Sequence, residues 1–273
     1  IRTSPASGVS FHRCPSGAGS DVFRSADLPP DVEYPIFSSY SEDASFRAPD
    51  GARMPPYRTF AGDGGETEIL LFSRIYPAPS YWGEDRDLTA AHAVCDQLWY
   101  QGLALDLEDW VDTAAADWAD AQATGRDFAR YLVEQSTDCT LETERLWNFV
   151  TRLTYPAAYP FDRTIVETIR RSQFFDPATG EELDPAELFL VPEAELPHVL
   201  YALSVDTWPK DADTTAPAET DFVRWFSPEL LYLDEDGLTL EFPAGTLEED
   251  GPWLFPFSYQ ELEGILQSWA MPE

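Results

Sequence analysis

The sequence predicts an α+β fold in which helices pack on one face of a mostly antiparallel sheet. Three features support this prediction. Strand-like segments lie before and after a helical region instead of alternating with single helices. Asp236-Gly237 lies between two apolar runs and indicates a β-hairpin. The chain has 273 residues, 44% of them hydrophobic, which is enough to bury a core.

The N-terminal part of the chain is expected to contain a leader and two strands. Residues 1–30 are rich in Ser, Gly and Pro and are predicted to be flexible. Residues 32–37 form a short apolar run in which Pro35 favours the end of a strand. Residues 41–65 have the composition of a loop, and residues 66–76 alternate as a strand does.

Two helices are predicted next. Residues 87–100 have apolar side chains at three- and four-residue spacing, and Asp87 is a suitable N-cap. Residues 107–135 continue the helical pattern, with Gly125 favouring a break or kink. The apolar stripe of this second helix is Leu107, Trp110, Val111, Ala114 and Trp118. The predicted solvent-facing residues are Asp109, Asp112, Asp117 and Asp120.

The rest of the chain is predicted to return to strands, with shorter helices between them. In chain order, the predicted elements are strands at 146–155 and 164–175, helices at 182–190 and 193–204, a loop at 207–220, the hairpin at 230–242 and a strand at 253–257. Ser258 and Glu261 have the spacing of a capping box and predict a short terminal helix. The expected organisation is a leader (1–30), an N-terminal α+β half with long helices (31–145) and a C-terminal half (146–273), the two halves packed as one unit.

The chain is strongly acidic. It contains 17 Lys and Arg against 50 Asp and Glu, which gives a formal net charge of −33. Such a surface repels phosphate backbones, so a nucleic-acid partner is not expected. Composition leaves three interpretations open: a solvated surface that keeps the protein soluble, adaptation to high salt, and a docking face for a basic partner.

The expected location is outside the cytoplasm. The sequence begins at Ile1 rather than Met, as in a chain whose export signal has been removed, and no apolar run is long enough for a membrane span. Three cysteines are too few for a disulfide framework. A bridge between Cys95 and Cys139 is one interpretation in an oxidising compartment, with Cys14 left over, and three unpaired thiols are the other.

No catalytic or metal site is predicted. The three histidines, His12, His92 and His198, do not have metal-ligand spacing, and no local motif places a nucleophile beside a base. Adjacent acids such as Glu181-Glu182 carry little information in so acidic a chain. No cofactor is therefore expected, and an enzyme is the less favoured interpretation.

Aromatic residues on loops are the predicted binding residues. Most tryptophans have periodic apolar positions and are expected in the core: Trp82, Trp99, Trp110, Trp118 and Trp253. Exposed aromatics on loops are better candidates for contact with a ligand. The residues of this kind are Tyr155, Tyr159 and Phe161 around two prolines, and Trp208 in the long loop.

The C-terminal half contains three recognisable sequence motifs. Residues 174–189 begin Phe-Phe-Asp-Pro-Ala-Thr-Gly and end Leu-Phe, Asp236-Gly-Leu238 lies at the hairpin, and residues 255–262 join an aromatic-proline strand to Tyr-Gln-Glu-Leu. In these features residues 146–267 resemble the extracytoplasmic domain shared by RsiV-type anti-sigma factors and PdaC-type cell-wall deacetylases. The Gly-Gly-Ala-His segment of that family is absent, and residues 155–160 read Tyr-Pro-Ala-Ala-Tyr-Pro instead.

The resemblance implies a non-enzymatic binding or sensing domain. RsiV-type ectodomains bind lysozyme, a basic protein, so the expected partners are a basic protein or a cell-wall glycan. The alternative, implied by the PdaC-type proteins, is an enzyme or accessory domain that acts on cell-wall glycan. In those proteins the deacetylase chemistry belongs to a separate catalytic domain.

Overall fold

The computed structural model describes residues 36–48, 67–80, 87–158, 162–207, 216–243, 245–247 and 252–272. The predicted leader lies outside these ranges, as does most of the first predicted strand. The same holds for several residues singled out in the sequence: His12, Cys14, Trp82, Tyr159, Phe161 and Trp208.

The fold is α+β, and the described residues form two sheets. The large sheet consists of β1 (Phe37–Ala48), β2 (Thr67–Pro79), β3 (Tyr131–Glu142), β4 (Trp147–Ala158), β5 (Asp162–Phe175) and β6 (Glu182–Leu183), in that spatial order. The small sheet consists of β7 (Leu231–Leu233), β8 (Gly237–Phe242) and β9 (Trp253–Ser258). The helices are α1 (Thr89–Tyr100), α2 (Leu107–Thr124), α3 (Leu196–Thr207) and α4 (Glu219–Trp225). Neighbouring strands are antiparallel except β2 and β3, so the predicted fold class is confirmed.

The two faces of the large sheet are covered by different layers. Helices α1 and α2 form the crossover between the parallel strands β2 and β3 and pack on one face. The small sheet packs on the other face, and α3 and α4 pack against the small sheet. Consecutive strand residues alternate between the faces: Phe175 lies in the cluster with α1, whereas Phe174 lies in the cluster with the small sheet.

A neutral side chain at the centre of the large sheet fastens the small sheet to it. Asn148 on β4 is fully buried, and its Oδ1 accepts a hydrogen bond from Leu233 N at 2.7 Å. Its Nδ2 donates to Ser172 Oγ at 2.9 Å and to Gln173 O at 3.0 Å. All the polar atoms of this amide therefore have partners, as a buried position requires.

Helix α1 is confirmed, but its N-cap is Leu88 and not Asp87 as predicted. Its buried residues are Ala91, Val94, Cys95 and Leu98, at the spacing of one helical face. Asp87 lies just before the N-cap residue, and its Oδ1 accepts a hydrogen bond from Thr89 N at 3.0 Å. The hydrogen bond from the Thr89 side chain, together with this one from its N–H, lowers the pKa of Asp87. No helix within the described ranges is both long and apolar enough to cross a membrane.

The helix predicted over 107–135 is wrong beyond Thr124. Gly125 adopts a left-handed conformation with φ 72° and ends α2, and strand β3 begins at Tyr131. Asp117 is also not on the solvent side as predicted. It is buried and forms an ion pair with Arg126, and the hydrogen bond that Arg126 donates to Asp117 raises the pKa of the guanidinium.

Three further predictions need correction. Residues 41–48, predicted as loop, continue strand β1. Residues 182–190 do not form an α-helix: β6 pairs with β5, and Pro185 then begins one 3-10 turn with Asp184 as its cap. Part of the predicted 207–220 loop is helical, because α4 begins at Glu219.

The predicted capping box at Ser258 and Glu261 is present, but it does not begin an α-helix. Ser258 N donates to Glu261 Oε2 at 2.8 Å, and Glu261 N donates to Ser258 Oγ at 3.4 Å. Turns and one 3-10 turn at Ser268–Ala270 follow. The hydrogen bonds from Ser258 lower the pKa of Glu261.

Candidate binding site

Of the four predicted binding residues, Tyr155 is the one in the described ranges. It lies in strand β4 rather than in a loop, and its ring is half-buried against α2. The ring centroid lies 5.6 Å from that of Trp110, and the guanidinium of Arg170 lies 5.9 Å from it. Part of this ring is therefore used in packing, and a ligand contact at Tyr155 stays a prediction.

A second group of aromatic residues lies at the β1–β2 side of the large sheet. Tyr40 on β1 is directly opposite Tyr76 on β2, and their ring centroids are 5.1 Å apart. Trp99, in the last turn of α1, continues the series at 4.6 Å from Tyr76. All three rings are partly exposed. We call Tyr40, Tyr76 and Trp99 the aromatic row.

Arg74 holds the aromatic row in place. Its guanidinium carbon lies 4.1 Å from the Trp99 ring centroid and 5.8 Å from that of Tyr76, which is cation–π geometry. Its Nη2 donates to Trp99 O at 3.0 Å and to Gly102 O at 3.4 Å, at the C-terminal end of α1. A positive charge is favourable there because the last carbonyl groups of the helix give its C-terminal end a partial negative charge. Arg74 therefore contacts both the ring and the backbone carbonyl of Trp99, which restricts the orientation of the indole.

Besides Arg74, the end of α1 beside the row carries an exposed aromatic residue and an exposed carboxylate. Tyr100, next to Trp99, is 82% exposed. Asp96 lies four residues before Tyr100, on the same side of α1, and is also exposed. Half-exposed aromatic faces beside a carboxylate can stack on a sugar ring or on an apolar side chain, and they attract cationic side chains.

The predicted core position of Trp99 is therefore only half correct. Trp99 lies four residues after Cys95, at the edge of the buried stripe of α1 rather than at its centre. Sequence periodicity did not indicate the row, because Tyr40 lies between the strand predicted at 32–37 and the loop predicted at 41–65. In the structure it belongs to β1.

A charged cluster lies between the two sheets, and its groups are engaged with each other. Arg152 Nη1 on β4 donates to Glu241 Oε2 on β8 at 2.6 Å, and Glu241 Oε1 accepts from Ile169 N at 3.0 Å. Arg152 also lies 5.0 Å from the Tyr232 ring centroid. Burial alone would lower the pKa of Arg152, but the hydrogen bond and charge of Glu241 outweigh it and raise that pKa. This geometry is that of a clamp between sheets.

Asp138 is a partly buried carboxylate near Arg152. Burial raises its pKa, and the hydrogen bond from Ser136 and the charge of Arg152 offset only part of this effect. Within the described part of the chain, no three His, Cys, Asp or Glu side chains are grouped as a metal ion would require. Cys95 and Cys139 are free thiols in the structure, so the bridge between them stays a prediction.

Comparison with solved structures identifies the architecture. A crystal structure of a DUF3298 family member from Bacteroides fragilis matches with a TM-score of 0.52 and 14% identity, over 85% of this chain and 93% of that one. The chain has the fold of a DUF3298 protein. A DUF3298 protein from Pseudomonas aeruginosa matches with a TM-score of 0.46 and 13% identity, over 88% of this chain and 98% of that one. No protein-family model and no curated protein matches the sequence.

Proposed function

We propose that this chain is a non-enzymatic binding domain that acts outside the cytoplasm and recognises a basic protein. The observation that carries the proposal is the aromatic row, with the exposed Tyr100 beside it. Clustered, partly exposed aromatic rings mark interaction surfaces, and tyrosine and tryptophan are enriched among the residues that dominate binding energy. Arg74 orders the row before a partner arrives, which lowers the entropy cost of binding.

Charge supports a basic partner over a neutral one. The net charge of −33 produces a negative potential that steers cationic proteins toward the surface and raises their association rate. Asp96 places one of these carboxylates one helical turn before Tyr100, on the same side of α1. Lysine and arginine side chains of a partner are able to contact both the rings and the carboxylate.

The resemblance of residues 146–267 to RsiV-type ectodomains supports the same class of partner and the extracytoplasmic location. We take lysozyme as the test ligand for this reason. The aromatic row comes from β1, β2 and α1, outside the segment that carries the resemblance. The two arguments are therefore independent of each other.

Calorimetric titration with lysozyme tests the proposal. We expect binding at about 10 mM NaCl that weakens at least about 10-fold at about 1 M NaCl, because the screening length falls from about 30 Å to about 3 Å. Tyr100→Ala should weaken binding at least about 10-fold. Trp225→Ala is the matched control, since Trp225 is another exposed aromatic, 43% exposed, on α4.

The other outcomes are equally informative. Absence of lysozyme binding at both salt concentrations would contradict the proposal. Binding of a soluble cell-wall glycan fragment without lysozyme binding would favour the alternative, an accessory domain for glycan-acting enzymes, which also uses stacked aromatic rings. Equal losses for Tyr100→Ala and Trp225→Ala would place the contact elsewhere.

A further inference from the structure

Cys95 and Cys139 reach the same part of the core from two different elements. Cys95 is one of the buried residues of α1, and Cys139 on β3 packs against the same hydrophobic cluster. The cluster also contains Phe37, Trp147, Phe149 and Phe175. The two thiols are 44 residues apart in the sequence but meet on one face of the large sheet.

Cys139 lies on the α1 side of the large sheet, in step with the regular alternation of β3. The pairing of β3 with β4 shifts between Cys139 and Leu141, which is the signature of a β-bulge. Cys139 is directly opposite Phe149, a residue of the α1 cluster, whereas Leu141 is opposite Asn148, which faces the small sheet. In a regular strand, residues 139 and 141 would share a face. The bulge therefore turns Leu141 to the small-sheet side, whereas Cys139 stays on the face that Tyr131 and Val133 share with the helices.

We propose that Cys95 and Cys139 form a disulfide bond, which joins α1 to β3, when the chain folds in an oxidising compartment. The oxidant is a small disulfide such as oxidised glutathione. One cysteine thiolate attacks a glutathione sulfur, forms a mixed disulfide and releases one glutathione thiol. The second cysteine attacks the protein sulfur of that mixed disulfide and releases the second glutathione thiol. Two electrons pass to the oxidant, and both protons end on the released thiols.

The bond has to form before α1 is fully packed. Burial raises the pKa of Cys95 to about 12 and raises that of Cys139 well above its ordinary value, with the charges of Glu142 and Cys95 adding to the effect on Cys139. Both thiols are therefore protonated in the folded protein, and Cys95 is also buried, which makes the pair slow to react. In the unfolded chain they have ordinary thiol reactivity, and once formed in the core the bond is protected from reductants.

The test starts from Cys14→Ser protein, because Cys14 would compete for the other thiols. The protein is unfolded and reduced, then refolded in a glutathione redox buffer. We expect no free thiol after refolding, and non-reducing peptide mapping should recover one linked pair with Cys95 and Cys139. The Tm should fall by about 10 °C on reduction, because the bond removes entropy from an unfolded loop of about 45 residues.

A control protein with Cys14→Ser and Cys139→Ala should show no such dependence on reductant. Folded protein with both thiols still free after this refolding would overturn the proposal, and so would disulfide-linked dimers in place of the internal bond. Reduced, already folded protein should react with oxidised glutathione at least about 10-fold more slowly than unfolded protein. The assay measures bond formation only, so its failure leaves the proposed binding function intact.

Discussion

Two buried polar side chains set the position of the small sheet, and they differ in what their loss would cost. Asn148 is neutral and satisfies its hydrogen bonds within and between the sheets. Glu241 is charged, and its side chain is 3% exposed where it contacts Arg152. An uncompensated charge in a buried position is far more costly than an uncompensated amide. The Arg152–Glu241 clamp is therefore the more sensitive of the two links.

Replacing Glu241 with alanine is expected to lower the free energy of unfolding by about 3–5 kcal/mol, because Arg152 would stay buried without its partner. Chemical denaturation at neutral pH measures this loss. Glu167→Ala is the control: Glu167 Oε1 lies 3.7 Å from Arg152 Nε, but its side chain is 61% exposed. That variant should lose about 0.5 kcal/mol. Similar losses in both variants would show that burial of Glu241 does not matter.

Asp138→Asn is expected to stabilise the protein at pH 7. The pKa of Asp138 is raised by burial, so the folded state binds this proton more tightly than the unfolded state does. Stability is then lost as the pH rises from the ordinary aspartate pKa through the raised one. The variant lacks this loss, and its advantage should vanish at about pH 3, where both states are protonated. Thermal unfolding at the two pH values decides the point, and a less stable variant at pH 7 would refute it.

At the scale of the elements, the sequence motif at residues 174–189, which contributes to the family resemblance, connects α1 to the large sheet. Gly180 ends the turn after β5, and a Cβ there would lie 2.8 Å from Ala90 O on α1. Glu182 then accepts hydrogen bonds from Gln97 of α1 at 2.6 Å and from Gln173 of β5 at 2.9 Å. The residues of this motif therefore have structural roles.

Gly180→Ala is expected to cost about 3 kcal/mol, from the left-handed conformation and the contact with α1 together. Gly180 has φ 73°. Gly125→Ala separates the two effects, because Gly125 has φ 72° and no atom within 4 Å of the new Cβ. That variant should lose about 1 kcal/mol. Denaturant unfolding of both proteins gives the difference, and equal losses would exclude a tight contact with α1.

Local signals predicted most of the elements, and they failed where two signals competed. The strands β2, β4, β5 and β8 and the helix α1 lie where the sequence predicts them. The helix predicted over 107–135 extends too far because residues 125–135 are largely polar and show no clear helical period. In the structure, buried side chains alternate strictly over residues 131–137 of β3. A test for period two from Tyr131 onward would have found this strand.

The candidate site was less accessible to sequence reasoning. Tyr40, Tyr76 and Trp99 belong to three elements, and their proximity depends on the pairing of β1 with β2 and on the packing of α1. No spacing in the sequence encodes such a cross-element contact. Loop aromatics, in contrast, are visible in a sequence, and Tyr155 shows that a residue next to a proline can still belong to a strand.

At the scale of the whole molecule, the two halves of the chain share their cores. Phe37 and Leu98 pack with Trp147 and Phe175, and Leu141 packs with the cluster under the small sheet. Strand β3 also pairs with β4 along most of its length. A cut between residues 145 and 146 would pass through a continuous sheet.

The fragment of residues 146–273 is therefore expected not to fold by itself, although it contains all three sequence motifs on which the family resemblance rests. Its sheet would lose β3 on one side of β4 and would expose Trp147, Phe149 and Phe175. Circular dichroism during thermal unfolding should show no cooperative transition for the fragment and a clear one for the full chain. A cooperative transition in the fragment would mean that the C-terminal half is an independent domain.

The contact of Phe37 with Trp147 and Phe149 has a consequence for biosynthesis. The ring centroids are 4.8 and 4.9 Å apart, yet these partners follow Phe37 by about 110 residues in the chain. A ribosome that adds about 5–20 residues per second needs about 5–20 s to supply them. During that interval the β1–β2 hairpin has α1 to pack against but lacks the aromatic rings that β4 and β5 supply to the Phe37 cluster. A chaperone that binds the emerging hairpin would protect it most effectively between the synthesis of β2 and that of β4.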